Sequence, residues 1–332
     1  MAGFTKDEIR ESPIYAAMLA SRKRMSSSKR SASQNMISTT VWKYPHAIEK
    51  SYSSWIDEQF RNQIVRPVNN TVLSKYDIWK IEYRKDSSEI HMDAISDIIQ
   101  ALTAAVKNAF SALSRVTGIG NSIDNYNHTR WNGFVKEATG VNMEIYTPAA
   151  SKYVQEWIDL NTAYLSDLPK EYIQKINQIV SAGIENGISK TVIAAQINEA
   201  GKKFRGVFSG DQKRAERIAR DQVGKLNSTL SRARMRQSKV DVYKWSTSID
   251  ERVRGNPSGL YPKSRYSHYL MEGKFKQVDN ASKISDNGID WRNVRGREEP
   301  RHAGQAINCR CTMIPSFIKI KQVVDEDIQR AA

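Results

Sequence analysis

The residues of this chain best suited to metal or acid–base chemistry lie together towards its C-terminal end. Its only two cysteines stand one residue apart in Asn308-Cys309-Arg310-Cys311. Thiolates and imidazoles are zinc ligands, so His268 and His302 could complete a four-ligand site with Cys309 and Cys311. Because alternate residues of a strand share one face, the two thiols could chelate an ion or simply pack as small apolar side chains. A structural zinc site and a metal-free core both remain open at this level.

Two catalytic interpretations of the same region compete with these. Asp250, His268 and His302 could bind a divalent metal and supply a base for phosphodiester cleavage. No acidic pair accompanies the histidines at helical spacing, which argues against a nuclease. A nuclease is therefore only an alternative interpretation. A cysteine nucleophile activated by Arg310 and a histidine is also conceivable, although the adjacent second thiol argues against it. The sequence has no glycine-rich phosphate loop, so an ATPase role such as a genome packaging motor is unsupported. We predict no catalytic residue and no enzymatic activity.

The composition predicts a folded protein of a reducing compartment with a polyanionic partner. The 332 residues, 39% of them hydrophobic, suffice for two domains with a sizeable core. A bridge between Cys309 and Cys311 would close a small and strained ring, so we expect free thiols and assembly in the cytoplasm. No apolar run approaches the roughly 18 residues of a membrane span, and no signal peptide is recognisable. The net charge of +15 favours nucleic acid as a partner.

Two segments concentrate the positive charge. The run of Ser and basic residues over 21–31 has little apolar surface to bury and is predicted to be flexible. A predicted helix over 211–237 could neutralise DNA phosphates without reading sequence, or could present a solvated face. The candidate DNA-contacting residues are Arg22, Lys23, Arg24, Lys29 and Arg30 in the first segment, and Lys213, Arg214, Arg217, Arg220, Arg232, Arg234 and Arg236 in the second.

Apolar periodicity predicts an α+β protein, with a mainly helical N-terminal region followed by a small C-terminal α+β module containing a short sheet. Alternating side chains in Val240–Trp245 predict a strand, and 274–278 and 311–315 predict two more around a polar loop over 279–301. The predicted segments are a flexible basic arm with a short helix (1–40), a helical region (41–145), a helical lead-in with the basic helix (146–238), the C-terminal module (239–320) and a tail (321–332).

Helix boundaries are predicted from glycine, proline and serine positions. An apolar stripe predicts one long helix over Ile90–Val116, which ends at Thr117–Gly120 because glycine readily adopts the left-handed conformation of a C-cap. A polar loop and a domain boundary are expected over 121–140. Pro169 is expected to begin a new helix, and Ser189 to cap the next one.

The order of several landmark residues resembles the phage Mu F-like minor head protein family. The series begins at Trp245, continues through Asp250, Arg252, Arg254, His268, Gly273 and His302-Ala303-Gly304, and closes at Cys309-Arg310-Cys311. The resemblance covers roughly residues 170–316. The chain departs from the family pattern in a Gly- and Pro-rich insertion before His268 and in a partly kept Pro-Gly turn at 300–304.

The resemblance implies a minor capsid protein of a tailed phage. Such a protein would lie inside the procapsid, associate with the portal and with capsid or scaffold proteins, and assist head assembly or genome delivery. It would contact packaged double-stranded DNA without sequence preference and would need no cofactor, apart from the structural zinc considered above. A nucleic-acid-binding protein unrelated to virions is a further alternative. The implied location is the capsid interior of the virion, after assembly in the host cytoplasm.

Overall fold

Helices form most of the chain in the computed structural model, and a small sheet lies in its C-terminal part. The structure describes residues 3–24, 42–85, 91–106, 113–140, 142, 144, 149–206 and 214–331. The predicted α+β class, with helices preceding a small α+β module, is confirmed. Within the described residues no helix is both long enough and apolar enough to cross a bilayer.

The elements of the described residues are as follows in chain order. The helices are α1 (Lys6–Arg10), α2 (Pro13–Lys23), α3 (His46–Gln59), α4 (Arg66–Lys85), α5 (His91–Val106), α6 (Leu113–Thr139), α7 (Ala149–Glu185), α8 (Lys190–Arg205), α9 (Arg214–Gln237) and α10 (Ile318–Arg330). A π-helical turn, Phe60–Val65, follows α3. The strands are β1 (Val242–Ser246), β2 (Phe275–Gln277), β3 (Lys283–Ser285), β4 (Arg292–Asn293) and β5 (Thr312–Pro315).

These elements form two units, each assembled from separated stretches of the chain. The helical unit comprises Ala47–Ile119 and Glu156–Arg220. The mixed unit comprises Met1–His46, Gly120–Gln155 and Asp221–Ala332. The sequence prediction had divided the chain into consecutive segments instead, because periodicity reports on local elements and carries no information about which distant segments pack together.

The helical unit is held together by buried aromatic side chains. The rings of Tyr172 and Phe204 pack with their centroids 4.8 Å apart. The Tyr172 hydroxyl donates to Asn69 Oδ1 at 2.8 Å, which satisfies a polar group inside the core. The predicted cap of α8 is confirmed, since Ser189 Oγ accepts a hydrogen bond from the Val192 amide at 3.5 Å.

The predicted end of the long helix at Thr117–Gly120 is wrong. α6 continues through both Gly118 and Gly120 to Thr139, so the polar loop predicted over 121–140 is helical. Its buried side chains recur at intervals of three and four residues, but a buried Asn127 stands among the apolar ones and obscures the pattern. Residues 107–112, which the predicted helix over Ile90–Val116 included, lie outside the described residues.

Pro169 does not begin a helix, which corrects a second prediction. It lies inside α7, which runs without interruption from Ala149 to Glu185. Proline lacks the N–H that an interior helix position donates, at a cost of about 3 kcal/mol. Leu165, Leu168, Tyr172 and Ile173 are all buried on the two sides of the proline. Their burial offsets the missing hydrogen bond and keeps the helix continuous.

The sheet of the mixed unit is antiparallel, with the strand order β4-β3-β2-β1-β5. β1 lies between β2 and β5, and its Trp245 stands opposite Met313. The three predicted strands are confirmed. The loop predicted over 279–301 also contains the short strands β3 and β4, which the sequence did not predict.

The segment predicted as a tail is the helix α10. Ile320, Val323 and Val324 bury one of its faces in the core of the mixed unit. Its acidic residues pair with basic residues of the two N-terminal helices, as in Arg10 to Asp327 at 2.8 Å. The N- and C-terminal parts of the chain therefore pack against each other within this unit.

Candidate functional site

His268, Cys309 and Cys311 converge in the mixed unit and form what we call the thiol–imidazole cluster. His268 immediately precedes a short 3-10 turn, and the two cysteines lead into β5. All three side chains are buried. His268 Nδ1 lies 3.5 Å from Cys309 Sγ and 3.4 Å from Cys311 Sγ. The structure therefore brings together three of the four residues that the sequence suggested as metal ligands, and their ligand atoms all lie within 4.8 Å of one another.

Helix α9 approaches the backbone of this cluster closely. A Cβ atom on Gly224 would lie 2.8 Å from the Cys309 carbonyl oxygen, so only glycine fits without a shift. Gly304 has φ +82° in the turn before the cysteines, and a Cβ there would lie 2.8 Å from the Cβ of Ser228 on α9. Glycine on both sides of the contact thus lets the helix and the turn hold the thiol segment in place.

Glu299 holds His268 from the side opposite the thiols. Its fully buried carboxylate lies 3.0 Å from His268 Nε2. Arg301 donates from Nε to Glu299 Oε1 at 2.7 Å. Burial alone would raise the pKa of Glu299, but hydrogen bonds from His268 and Arg301 lower it to about 2. Because an ionised carboxylate can only accept, His268 donates from Nε2 and directs Nδ1 towards the thiols.

Lys276 fastens the segment that carries Glu299. This lysine of β2 is fully buried, and its Nζ donates to the carbonyl oxygens of Ala281 at 2.6 Å, Arg301 at 2.9 Å and Glu299. Burial lowers the pKa of Lys276 to about 8. Its ammonium group also lies 5.5 Å from the centre of the Trp245 ring. Three main-chain acceptors therefore fix Lys276, and Lys276 in turn fixes the backbone around Glu299.

The electrostatics of the cluster favour one ionised thiol beside a protonated imidazole. Burial raises the pKa of the Cys309 thiol, but a hydrogen bond with Cys311 and the charge of His268 bring it well below its ordinary value. Burial lowers the pKa of His268, whereas the Cys309 thiolate and Glu299 raise it to about 9. Burial and the neighbouring Cys309 thiolate raise the pKa of Cys311. The pKa values of the two thiols are thus shifted in opposite directions.

His302 does not take part in the cluster. Its Nδ1 lies 3.1 Å from the Tyr243 hydroxyl, and the two rings pack with their centroids 5.8 Å apart. Burial and the positive charges of Arg232 and Lys276 lower the pKa of His302 to about 3. The structure thus separates His302 from the ligand set suggested for it and makes it a neutral core residue.

The residues suggested for a nuclease have separate partners. Asp250 pairs with Arg310, His302 contacts Tyr243, and His268 faces the thiols. Among the residues that the structure describes, the group able to share a metal ion is the thiol–imidazole cluster, and it contains neither Asp250 nor His302. The side-chain set required for metal-assisted phosphodiester cleavage is therefore not assembled.

The remaining landmark residues frame the cluster. The ring of Trp245 packs edge-on against His268, with the centroids 5.6 Å apart. Gly273 has φ +75° and donates its amide to the Trp245 carbonyl oxygen at 3.0 Å, in a conformation that favours glycine. Arg254 donates to the Ile307 carbonyl oxygen and ties the loop after β1 to the thiol segment, whereas Arg252 is exposed.

Two of the basic residues suggested for DNA contact are buried. Arg234 of α9 is only 2% exposed and donates to Asn127 Oδ1 at 2.5 Å and to Asp124. Arg22 is 5% exposed and pairs with Asp325. Neither guanidinium can reach a DNA phosphate in this fold, which corrects their assignment. Charge counting missed this because it does not show which basic side chains find an acidic partner inside the protein.

The other basic residues differ in their surroundings. Arg214, Arg220 and Arg236 form ion pairs with Glu171, Glu49 and Asp279, while Arg232 donates to the Val278 carbonyl oxygen. Exposed positions are occupied by Lys23, Arg24 and Arg217. Lys29, Arg30 and Lys213 lie outside the described residues.

Residues 174–314 match the family model described as Phage Mu protein F like protein. This segment is therefore similar to the phage Mu protein F-like family. The resemblance inferred from the landmark residues is thereby confirmed, and the thiol–imidazole cluster lies wholly within the Mu F-like segment.

The chain is also similar to an uncharacterized protein of Haemophilus influenzae. The two are 28% identical over 204 residues, which cover 60% of this chain and 38% of the relative. The chain thus spans well under half the length of that relative. No solved structure matches the chain.

The sequence did not identify Glu299 and Lys276, which hold the thiol–imidazole cluster in place. Glu299 was read as part of a polar loop, and nothing in its neighbourhood distinguishes it from Glu298. Lys276 carried a usable signal, since residues two apart in a strand share a face and Val278 is apolar. That relation places the lysine on the buried face of β2, as the structure shows.

Proposed function

We propose that this protein is a minor head protein that assists head assembly in a tailed phage. The observation that carries the proposal is the family match over residues 174–314. It is supported by the fold, because four of the landmark residues, Trp245, His268, Cys309 and Cys311, lie together in one buried cluster. A structural role fits this arrangement better than an enzymatic one, since the thiols are buried and the nuclease set is not assembled.

The proposal includes association with the portal and with capsid or scaffold proteins inside the procapsid. Low-copy components must be recruited to a head by protein contacts, and the portal is the vertex through which DNA enters. Exposed apolar side chains on loops of the mixed unit, including Ile249, Leu260 and Ile307, offer surface for such contacts. The support is thus the family match together with this exposed apolar surface.

Contact with packaged DNA is the second part of the proposal. The net charge of +15 supports contact with DNA. The buried Arg22 and Arg234 are not among the side chains that we propose to contact it. Exposed basic side chains remain at Arg217 and, on loops of the mixed unit, at Lys263 and Arg265. Cationic groups distributed over a surface neutralise phosphates without selecting a sequence, so the binding should weaken steeply with salt.

Deletion of the coding sequence tests the role in assembly. Cells producing the phage without this chain should yield fewer completed, DNA-filled heads, and a plasmid copy of the wild-type chain should restore them. Electron microscopy and the DNA content of purified heads provide the counts. A normal yield of filled heads without the chain would refute the proposed role, and would favour a nucleic-acid-binding protein unrelated to virions.

A further inference from the structure

We propose that the thiol–imidazole cluster binds one zinc ion through Cys309 Sγ, Cys311 Sγ and His268 Nδ1. The inference concerns the chain itself and does not depend on its role in a phage head. This ligand set differs from the one suggested by the sequence, because His302 contacts Tyr243 and is not a ligand. Glu299 is not a ligand either, but it orients the His268 ring.

The spacing of the ligand atoms fits a tetrahedral zinc ion. Zinc–sulfur bonds of about 2.3 Å and zinc–nitrogen bonds of about 2.0 Å at the tetrahedral angle separate sulfur and nitrogen by about 3.5 Å. His268 Nδ1 lies 3.5 Å from one thiol and 3.4 Å from the other. Both nitrogen–sulfur separations therefore fit a common ion, and the two sulfur atoms lie within 4.8 Å of each other.

The surroundings of His268 are those of a zinc-bound imidazole. A ligating histidine generally donates its second ring N–H to a carboxylate or a carbonyl, which fixes the ring and strengthens the ligand. Glu299 accepts this bond at 3.0 Å, and Arg301 and Lys276 hold Glu299 by its side chain and its main chain. A purely apolar core would give no reason to bury the charged side chains of Glu299 and Lys276.

The burial of the cluster favours a structural ion. The thiols of Cys309 and Cys311 are 3% and 6% exposed, so a substrate could not reach either sulfur as a nucleophile. The described residues supply three ligands, one fewer than most structural zinc sites have, and a water molecule would fill the fourth position of the tetrahedron. The ion would join the loop before the 3-10 turn to the segment entering β5, and would thus cross-link two distant parts of the Mu F-like segment.

The metal content of the full chain tests the proposal. Protein purified under reducing conditions without chelator should contain about one zinc per chain by elemental analysis. Cobalt substitution should produce the near-ultraviolet absorption of a cobalt–thiolate bond. This absorption should weaken in Cys309→Ser and in Cys311→Ser. Absence of zinc, with no zinc taken up on titration, would overturn the proposal, and stoichiometric copper in place of zinc would overturn the choice of metal.

Two further variants keep the test decisive if the cysteine variants fail to fold. His302→Gln should retain full zinc, because His302 contacts Tyr243 and not the ion. Glu299→Gln should bind zinc about 10- to 100-fold more weakly, which is the usual effect of losing a carboxylate behind a ligating histidine. Loss of zinc in His302→Gln, or unchanged affinity in Glu299→Gln, would contradict the proposed ligand set. Chelation of the wild-type chain should lower its melting temperature, and added zinc should restore it.

Discussion

The thiol–imidazole cluster and the arginines of α9 were both conspicuous in the sequence, yet the structure treats them differently. His268 precedes Cys309 by 41 residues in the chain, yet both thiols lie beside its ring. The arginines are close together in the chain and disperse, with Arg234 buried in the mixed unit and Arg217 exposed. An ordered set of rare residue types therefore predicted which side chains lie close together, whereas a local excess of charge did not predict which of the basic side chains are exposed.

The reason for the difference lies in how charge is buried. A guanidinium can enter a core when acidic and amide groups satisfy it, as Asp124 and Asn127 do for Arg234. Those partners come from α6, which the sequence did not predict to be helical over this stretch. The position of Arg234 therefore could not be inferred before α6 was known.

The largest expected effect on stability comes from removing the buried charge of Arg234. Arg234→Met should lower the free energy of unfolding by about 3 kcal/mol, at the low end of the range for losing one partner of a buried ion pair. The low end applies because the Asp124 side chain is 32% exposed and water can partly solvate it. Urea unfolding followed by circular dichroism measures the change. A loss below about 0.5 kcal/mol, the range of ordinary surface substitutions, would show that Arg234 is not a core residue.

A second substitution tests the contact between α9 and the cluster. Gly224→Ala should destabilise the protein by about 2 kcal/mol, because the added methyl group lies 2.8 Å from the Cys309 carbonyl oxygen and something must move. Gly133→Ala is the matched control, since a Cβ there meets nothing within 4 Å. Removing a glycine from a helix interior without a clash should stabilise by about 0.5–1 kcal/mol. Equal effects of the two substitutions would refute the close approach of α9.

Acidification tests the neutral state of His302. Its pKa of about 3 in the folded protein lies below the ordinary 6.5, so unfolding takes up a proton between these values. Stability should therefore fall by up to about 1.4 kcal/mol per pH unit as the pH drops below 6.5. The groups facing the ring are Arg232, Arg236, Lys276 and Tyr243, and the three cations oppose its protonation.

Between pH 6.5 and 4.5 the lowered pKa of Cys309 also contributes, so the effect of His302 is the difference between the stability profiles of the wild-type protein and His302→Gln. The raised pKa of His268 gives a contribution that is already complete below pH 6.5, and the lowered pKa of Glu299 gives one that is lost only below about 4.5. His302→Gln should flatten the stability profile in this window. A profile as steep as that of the wild-type protein would show that another group takes up the proton.

The smallest effect on stability is expected from substituting the exposed Arg217. Arg217→Gln should change the free energy of unfolding by less than about 0.5 kcal/mol, as is usual for a surface substitution. If this residue contacts a phosphate, the slope of log affinity for DNA against log salt should decrease by about 1. Fluorescence anisotropy with an arbitrary duplex measures the slope. An unchanged slope would remove Arg217 from the proposed DNA-contacting surface.

Several features were predictable because local chemistry determines them. The alternation before Trp245 predicted β1, and the hydroxyl of Ser189 predicted the cap of α8. Features that depend on tertiary partners were not predictable in the same way. Asn127 could be buried in α6 because α9 supplies its hydrogen bonds, from Asn127 Nδ2 to Asn227 Oδ1 at 2.9 Å for example.

The same distinction applies within the candidate site. His268, Cys309 and Cys311 were identified by residue type and order, which do not require knowledge of the fold. Knowledge of the fold was required to decide whether His302 or Glu299 contacts His268, since both are polar residues of the segment before the thiols. Only the packing shows that one ring turns towards Tyr243 and that the carboxylate turns towards His268.

The protein content of purified heads tests the central claim most directly. Heads isolated from a lysate of the phage that encodes this chain should contain it at a few copies per particle, by quantitative mass spectrometry against the portal and the major capsid protein. It should sediment with procapsids made before DNA packaging as well. Heads that lack the chain, while the same lysate contains it in abundance as free protein, would contradict its assignment as a minor head protein.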